Sequence, residues 1–481
     1  MTKPQKRTIN IAEIEGEDLV LFINSCFTCT GQKEFYDIDE QQCLSINFLH
    51  QYILGNYRRL YALTLATGIN HFNQALIVFN LLAAGSPKDV RHKQEESDLI
   101  KICLGRLPAN RVFKLFHNLK KKRINNRRTR AVIKCFLESR HDPDFDAVKY
   151  RSKIKQVVLH SHIKLTDERS RFLFEKLTQG LKAFDTPIFD SYQRAKYSKK
   201  AIYELPYTVA ESFAQRHGIA RDVFLKGIEA KLTKNEKLRL QKSADRERNI
   251  SLEVDFNSID LTRLVLYWLS LSYEKQKLLQ NDFEVALSHH AKNIIQNSAI
   301  TEDKIALVVD RSFSMWGSIE KKRRPLAIGF ALHQILQRTV KNYKVFWSTP
   351  VTRPLHLYPK GQSNIADPFI KALKMEPDVL LILSDGFEND PAGLTAQIHH
   401  AWLGLKQTSN TNIIHLNPVY DANSFNVKKL ANTITTVGIR NAEDITVILE
   451  YCRFSNGRAS IDLLEAFVYK KYIEEKNSAN R

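Results

Sequence analysis

The chain has 481 residues, 43% of them hydrophobic and 10% aromatic, with 72 Lys and Arg against 52 Asp and Glu and a formal net charge of +20. Its length provides for two or more domains, and its apolar content excludes a disordered chain. No apolar run reaches membrane-spanning length, the polar residues 1–7 lead into no signal-peptide core, and six scattered cysteines make no disulfide framework, so a soluble, cytoplasmic protein without a membrane role is expected.

From the N-terminus to about Ala299, apolar residues recur at helical spacing, as in Ala75/Val78/Phe79/Leu82, Val112/Phe113/Phe116/Leu119 and Val265/Leu266/Leu269, with short turns between the segments. Successive short helices over this length predict an all-α, HEAT-like helical-repeat region over residues 1–300, although no fixed sequence period accompanies it. Cys26, Cys29, Cys43 and His50 are residue types that bind zinc, but their flanks read as helix and no second Cys-x-x-Cys exists, so packing is their expected role.

The positive charge is concentrated. Residues 101–164 hold 18 basic and 4 acidic residues, a surplus of 14. The densest part, 120–130, contains Lys120, Lys121, Lys122, Arg123, Arg127, Arg128 and Arg130 and straddles the connection between two amphipathic helices. A second cluster, Lys149, Arg151, Lys153 and Lys155, followed by His160 and His162, falls on the next helix. Charges packed this densely repel one another unless a partner offsets them, and a surface of this kind binds phosphates with an affinity that falls steeply with salt. These eleven Lys and Arg residues are therefore the candidate phosphate contacts. Tyr57/Tyr61 and Tyr192/Tyr197, interleaved with basic residues, are weaker candidates for base-stacking platforms, since Tyr at helical spacing also serves packing.

After residue 300 the pattern changes to strand-like apolar runs at 305–309, 343–347, 379–383, 412–416 and 434–437, alternating with helical patterns at 325–340 and 392–405. That alternation predicts a doubly wound α/β domain over residues 301–481 with a largely parallel sheet. The run 305–309 delivers Asp310, Ser312 and Ser314 into the loop at the C-terminal end of a buried strand, where open α/β sheets bind ligands. The run 379–383 brings Asp385 to the same edge, and a polar turn before the helical 366–373 offers Ser363. Carboxylates and hydroxyls in this combination make a hard, all-oxygen corner suited to a divalent cation such as Mg²⁺. A helix cap would explain Asp310 and Ser312 alone and leaves the other two pieces unaccounted for.

The order Asp-x-Ser-x-Ser, then a hydroxyl, then an Asp resembles the metal-ion-dependent adhesion site of von Willebrand factor A domains. The resemblance implies that Asp310, Ser312, Ser314, Ser363 and Asp385 hold Mg²⁺, directly or through water, with positions open to an acidic partner group. Phe313 stands where that family usually has Gly, and Ser363 where it usually has Thr. A basic all-helical region followed by an A domain, closed by the stretch 450–467, resembles the Ro ribonucleoprotein family, whose helical part is the TROVE module. That resemblance implies repeats closing into a ring, with structured small noncoding RNA on the basic outer surface and single-stranded 3′ ends in the central hole. A role in RNA quality control, or as an adaptor to a nuclease, would follow, with no DNA specificity. The alternative is a metal-dependent protein–protein adaptor without RNA, as in A domains that work with MoxR-type ATPases. A metal-dependent phosphohydrolase needs a second acid two residues after its nucleophilic Asp; Ser312 stands there, and neither a Gly-rich phosphate loop nor a Gly-x-Ser-x-Gly elbow occurs, so no catalysis is expected.

Overall fold

The computed structural model describes residues 11–34, 39–177, 182–246, 254–295, 303–405, 411–449 and 461–479. The chain forms two compact units, one of residues 75–258 and one of residues 1–74 together with 259–481. Neither boundary falls at residue 300. A change of hydrophobic period marks where helices give way to strands, but the helices Ile11–Thr28, Asp39–Asn56 and Leu261–Trp268 bury residues within the sheet-containing unit. Asn24 Nδ2 donates to the Thr436 carbonyl at 3.4 Å, the Thr262 N–H to Glu443 Oε1 at 2.8 Å and Trp268 Nε1 to the Leu355 carbonyl at 2.8 Å.

In the unit 75–258 all regular structure among the described residues is helical, with successive short helices packed on one another. Their starts follow from capping chemistry. Asp89, Asn126 and Asp142 accept hydrogen bonds from the N–H groups of His92, Thr129 and Phe145, and Pro143 occupies the first turn after Asp142. The helix Ala109–Lys121 turns Val112, Phe113, Phe116 and Leu119 inward, where Phe113 and Phe116 meet Phe136 edge-on at 5.8 and 5.5 Å.

In the other unit, β1 (Lys304–Val309), β2 (Asn342–Trp347), β3 (Val379–Leu383), β4 (Asn412–Asn417) and, after the short antiparallel pair β5 (Tyr420–Asp421) and β6 (Asn426–Val427), β7 (Thr435–Gly438) define the sheets. The five longer strands form one sheet in the order β2-β1-β3-β4-β7, all parallel. The central strands are buried on both faces, as their unbroken apolar runs require, whereas β2 lies at an edge and keeps Asn342 and Lys344 in solvent. Of the stretch 450–467, residues 450–460 lie outside the described residues; Ile461–Ala479 is a helix.

The chain runs from β1 outward to β2 and returns to the other side as β3, so the order reverses between β1 and β3, the place where such sheets bind ligands. The helix Arg324–Thr339 packs against this point at Gly329, where an added Cβ would lie 2.9 Å from Val309 Cγ1 and 3.0 Å from Leu383 Cδ2. Those two residues end β1 and β3. Gly329→Val should therefore lower stability by about 1–3 kcal/mol, as overpacking does. Denaturant unfolding with an unchanged midpoint would contradict this packing.

Candidate functional site

At the switch point, parallel strands about 4.8 Å apart deliver two acids to one edge. The Asp310 N–H donates to the Leu383 carbonyl at 2.8 Å, which fixes the two strand ends in register. Asp310 is fully buried and its carboxylate gathers hydroxyls. Ser312 Oγ and Ser363 Oγ each donate to Oδ2 at 2.9 Å, Ser348 Oγ donates to Oδ1 at 3.2 Å, and the Ser312 N–H reaches Oδ1 at 2.9 Å. Ser314 Oγ stands 3.0 Å from Ser312 Oγ. Asp385, also buried, accepts the Phe387 N–H at 3.1 Å, and the sharp turn after it falls on Gly386, whose φ of +80 and whose missing Cβ, 2.5 Å from the Lys428 carbonyl, admit no side chain.

Burial first, and the Asp385 carboxylate second, push the Asp310 carboxyl up to about 6, against the hydrogen bonds from Ser312 and Ser363 that lower it. Two buried carboxylates that disfavour each other's charge, surrounded by hydroxyl oxygens, fit a hard divalent cation, which would neutralise both. Asp310, Ser312, Ser314 and Ser363 are linked by these hydrogen bonds, and Asp385 joins them through its field on Asp310. Among the described residues, no three His, Cys, Asp or Glu side chains cluster at metal-holding distance, so this corner rests on two carboxylates and serines.

Two neighbours have no sequence motif that would find them. Ser348, just beyond β2, bridges the corner to the Arg311 N–H, which donates to its Oγ at 2.8 Å. His415 lies in β4 with Nε2 2.9 Å from Ser384 Oγ and Nδ1 3.1 Å from Thr436 Oγ1, and so ties together β3, β4 and β7. Burial lowers its pKa to about 4, which keeps it neutral and suits a fastener more than a base.

The Cys26/His50 group is packing. Both cysteines of the pair and His50 are fully buried, His50 Nδ1 lies 2.7 Å from the Tyr61 hydroxyl and Nε2 3.1 Å from Asn73 Oδ1, while Cys43 is exposed elsewhere on its helix. Tyr61, offered as a stacking platform, is thereby a core residue.

In the unit 75–258, the basic candidates separate into exposed and internally bound sets. Lys120, Lys121, Lys122, Arg123, Arg127 and Arg130 are exposed around the turn between the helices Ala109–Lys121 and Arg127–Glu138. That turn is fastened to the helix Arg151–Ser161: Asn125 Nδ2 donates to the His160 carbonyl at 2.7 Å, and His160 Nε2 lies 3.0 Å from the Ile124 carbonyl. Arg128 does not belong to the display. Its Nη1 is 2.6 Å from Glu96 Oε1 and 3.0 Å from the Gly85 carbonyl, making a buried ion pair that no periodicity reveals.

At the other end of that helix lies a cleft of about 820 Å³, lined by Lys149, Arg151, Lys153, Lys155, Arg216 and Arg239 against one carboxylate, Glu236. Lys149 Nζ is 3.8 Å from Glu236 Oε1. Arg151 donates from Nε and Nη2 to the Phe172 carbonyl at 3.0 and 2.7 Å, capping the helix Asp167–Phe174 as well as lining the cleft. Its guanidinium lies 5.9 Å from the centre of the Tyr192 ring, which faces the same cleft. Burial, then the charges of Arg151 and Arg216, lower the pKa of nearby Lys196. Arg216 and Arg239 escape sequence reasoning because only the fold brings them beside residues 149–155.

The chain matches no protein-family model, and no curated protein matches it. Among solved structures it is similar to the crystal structure of the Ro (RSR) protein of Deinococcus radiodurans, at 12% sequence identity and a TM-score of 0.44, over 92% of this chain and 100% of that one.

The pH dependence of the corner has a definite sign. A carboxyl raised from 3.8 to about 6 stabilises the fold below its unfolded pKa, and that contribution is lost as pH rises through 6. Mg²⁺ selects the ionised form, so the rise in Tm it produces should be large at pH 7.5, shrink at pH 5 and vanish in Asp310→Ala. An equal rise in the variant, measured by differential scanning fluorimetry, would remove the metal assignment.

Proposed function

We propose that this chain is an RNA-binding protein of the Ro type, holding small structured noncoding RNA on the basic face of residues 75–258 and serving RNA quality control or nuclease recruitment. The observation that carries the reading is the crowding of cations that the protein itself leaves largely unanswered. Six exposed Lys and Arg side chains surround one turn, and six more face a single carboxylate in a cleft joined to that turn by one helix. Eleven residues at about 1.5 Å each span about 16 Å, so the two clusters can meet several successive phosphates of one RNA. Exposed lysines supply the salt-sensitive, sequence-independent part of affinity. Tyr192, beside Arg151 in the cleft, packs against Phe172 and Phe213, and the wide spread of cations suits a folded RNA.

The metal corner supports a second, compatible role. Asp310, Ser312, Ser314, Ser363 and Asp385 would hold and orient Mg²⁺, which would supply a Lewis-acidic position for an acidic group of a protein partner such as a nuclease. In the proposed division, RNA affinity belongs to the helical face and is insensitive to chelator, whereas protein recruitment belongs to the corner.

Replacing Lys120, Lys121, Lys122 and Arg123 together by Gln should weaken binding of a small structured RNA and reduce the log–log salt slope by about one unit per lost phosphate contact. Arg128→Ala should behave differently, lowering stability by about 1.5–3 kcal/mol because it removes a charge-assisted hydrogen bond to buried Glu96. Fluorescence anisotropy across a salt series separates the two. Unchanged affinity and slope in the quadruple variant would place the RNA elsewhere.

A further inference from the structure

The cleft at the start of the helix Arg151–Ser161 differs in shape from the exposed turn at its other end. Residues 148–155 and 208–216 wall a hollow of about 820 Å³, the volume of a small-molecule pocket. A duplex passes over such a hollow, whereas a chain end or a single nucleotide can enter it. Lys153, Arg216 and Arg239 are exposed, so a ligand reaches them from solvent.

The cations of the cleft are held in place without being neutralised. Arg151 lies 5.2 Å from the centre of the Phe172 ring, Lys153 5.9 Å from that of Tyr150, Lys155 5.4 Å from that of Phe174 and Arg216 5.8 Å from that of Phe213. An aromatic face steadies a cation and leaves its charge in place. Six cations against one carboxylate, Glu236, leave a surplus of five. The helix adds to that surplus. The helices that begin after Asp89, Asn126 and Asp142 have a side chain to accept an early N–H, but Tyr150 gives Arg151–Ser161 none, and its first turn contains no acid. Arg151 and Lys153 stand instead at the positive end of the helix dipole, where cations are unfavourable. An anion seated in the cleft relieves both.

We propose, resting on the RNA-binding reading above, that the cleft takes a terminal phosphate, a phosphomonoester or polyphosphate at the 5′ end of an RNA or on a free nucleotide. An internal phosphodiester carries a single charge, whereas a terminal phosphate carries about −1.5 to −2 with three acceptor oxygens, and a triphosphate carries more. Arg216 and Arg239 present planar forks that match such oxygens, and the hydroxyls of Ser152, Thr208 and Ser212 line the same cleft. The turn at residues 120–130 then meets the body of the same RNA.

The test uses the full chain in chelator, so that the metal corner contributes nothing, and reads fluorescence anisotropy of a short single-stranded RNA labelled at its 3′ end. The oligomer is compared with a 5′-triphosphate and with a 5′-hydroxyl, the latter lengthened to the same total charge. The triphosphate should bind at least tenfold more tightly, and Arg216→Gln combined with Arg239→Gln should reduce that ratio below twofold. Both replaced side chains are exposed and Tm checks folding; Lys153→Gln, also at an exposed position, decides if the double variant does not fold. ATP separates the two sources of the phosphate. Binding of ATP as tight as that of the triphosphate oligomer, and lost in the variant, assigns the cleft to free nucleotides; ATP at least tenfold weaker assigns it to an RNA end. Equal affinity for the two oligomers without ATP binding, or a preference that survives in the variants, would overturn the proposal while leaving RNA on the helical face. Binding of ATP with no RNA bound at all would instead overturn the RNA-binding reading and leave the terminal-phosphate site standing.

Discussion

Like charges held close without an adequate counter-charge are the constraint on which both functional regions depend. At the sheet's switch point two buried carboxylates share one corner, and burial first, then the Asp385 carboxylate, raise the pKa of Asp310. In the helical unit six cations share a cleft with one carboxylate, and burial first, then the charges of Arg151 and Arg216, lower the pKa of nearby Lys196. Self-repulsion of this kind destabilises the compact state unless a ligand of opposite charge relieves it. The complements proposed for them are a divalent cation in one unit and a polyanion in the other.

The scaffold accepts these clusters because rigid elements enforce them. Parallel pairing places the ends of β1 and β3 side by side, Gly329 lets a helix press against those ends, and Gly386 permits the turn that follows Asp385. In the helical unit, the fastening of Asn125 and His160 across two helices keeps an exposed, highly charged turn from being merely a solvated loop. Elsewhere charges are answered internally, as in Arg128 with Glu96 and Lys321 with Glu34, which sets the cleft apart.

Much of this was legible in the sequence, for physical reasons that differ by region. Strands buried on both faces leave unbroken apolar runs, so β1, β3 and β4 stood out, and the Asp-x-Ser-x-Ser spacing located the corner because consecutive loop residues share one strand end. The basic turn at 120–130 was equally plain. Sequence could not show that Arg128 faces Glu96, that Arg151 caps a neighbouring helix, or that Arg216 and Arg239 join the cleft, since each depends on contacts between segments tens of residues apart. The boundary at 300 marked a true change of secondary structure, yet the first 74 residues and the helices after 259 belong with the sheet. Period reports local geometry, whereas a compact unit is defined by which faces are buried together.

The proposal that RNA sits on the helical face is tested most directly by ultraviolet crosslinking of the native chain to a small structured RNA, mapped by mass spectrometry. Crosslinked peptides should come from residues 114–164 and from the cleft around Tyr150, Tyr192, Arg216 and Arg239. Absence of crosslinked RNA, or crosslinks confined to residues 303–449, would contradict it.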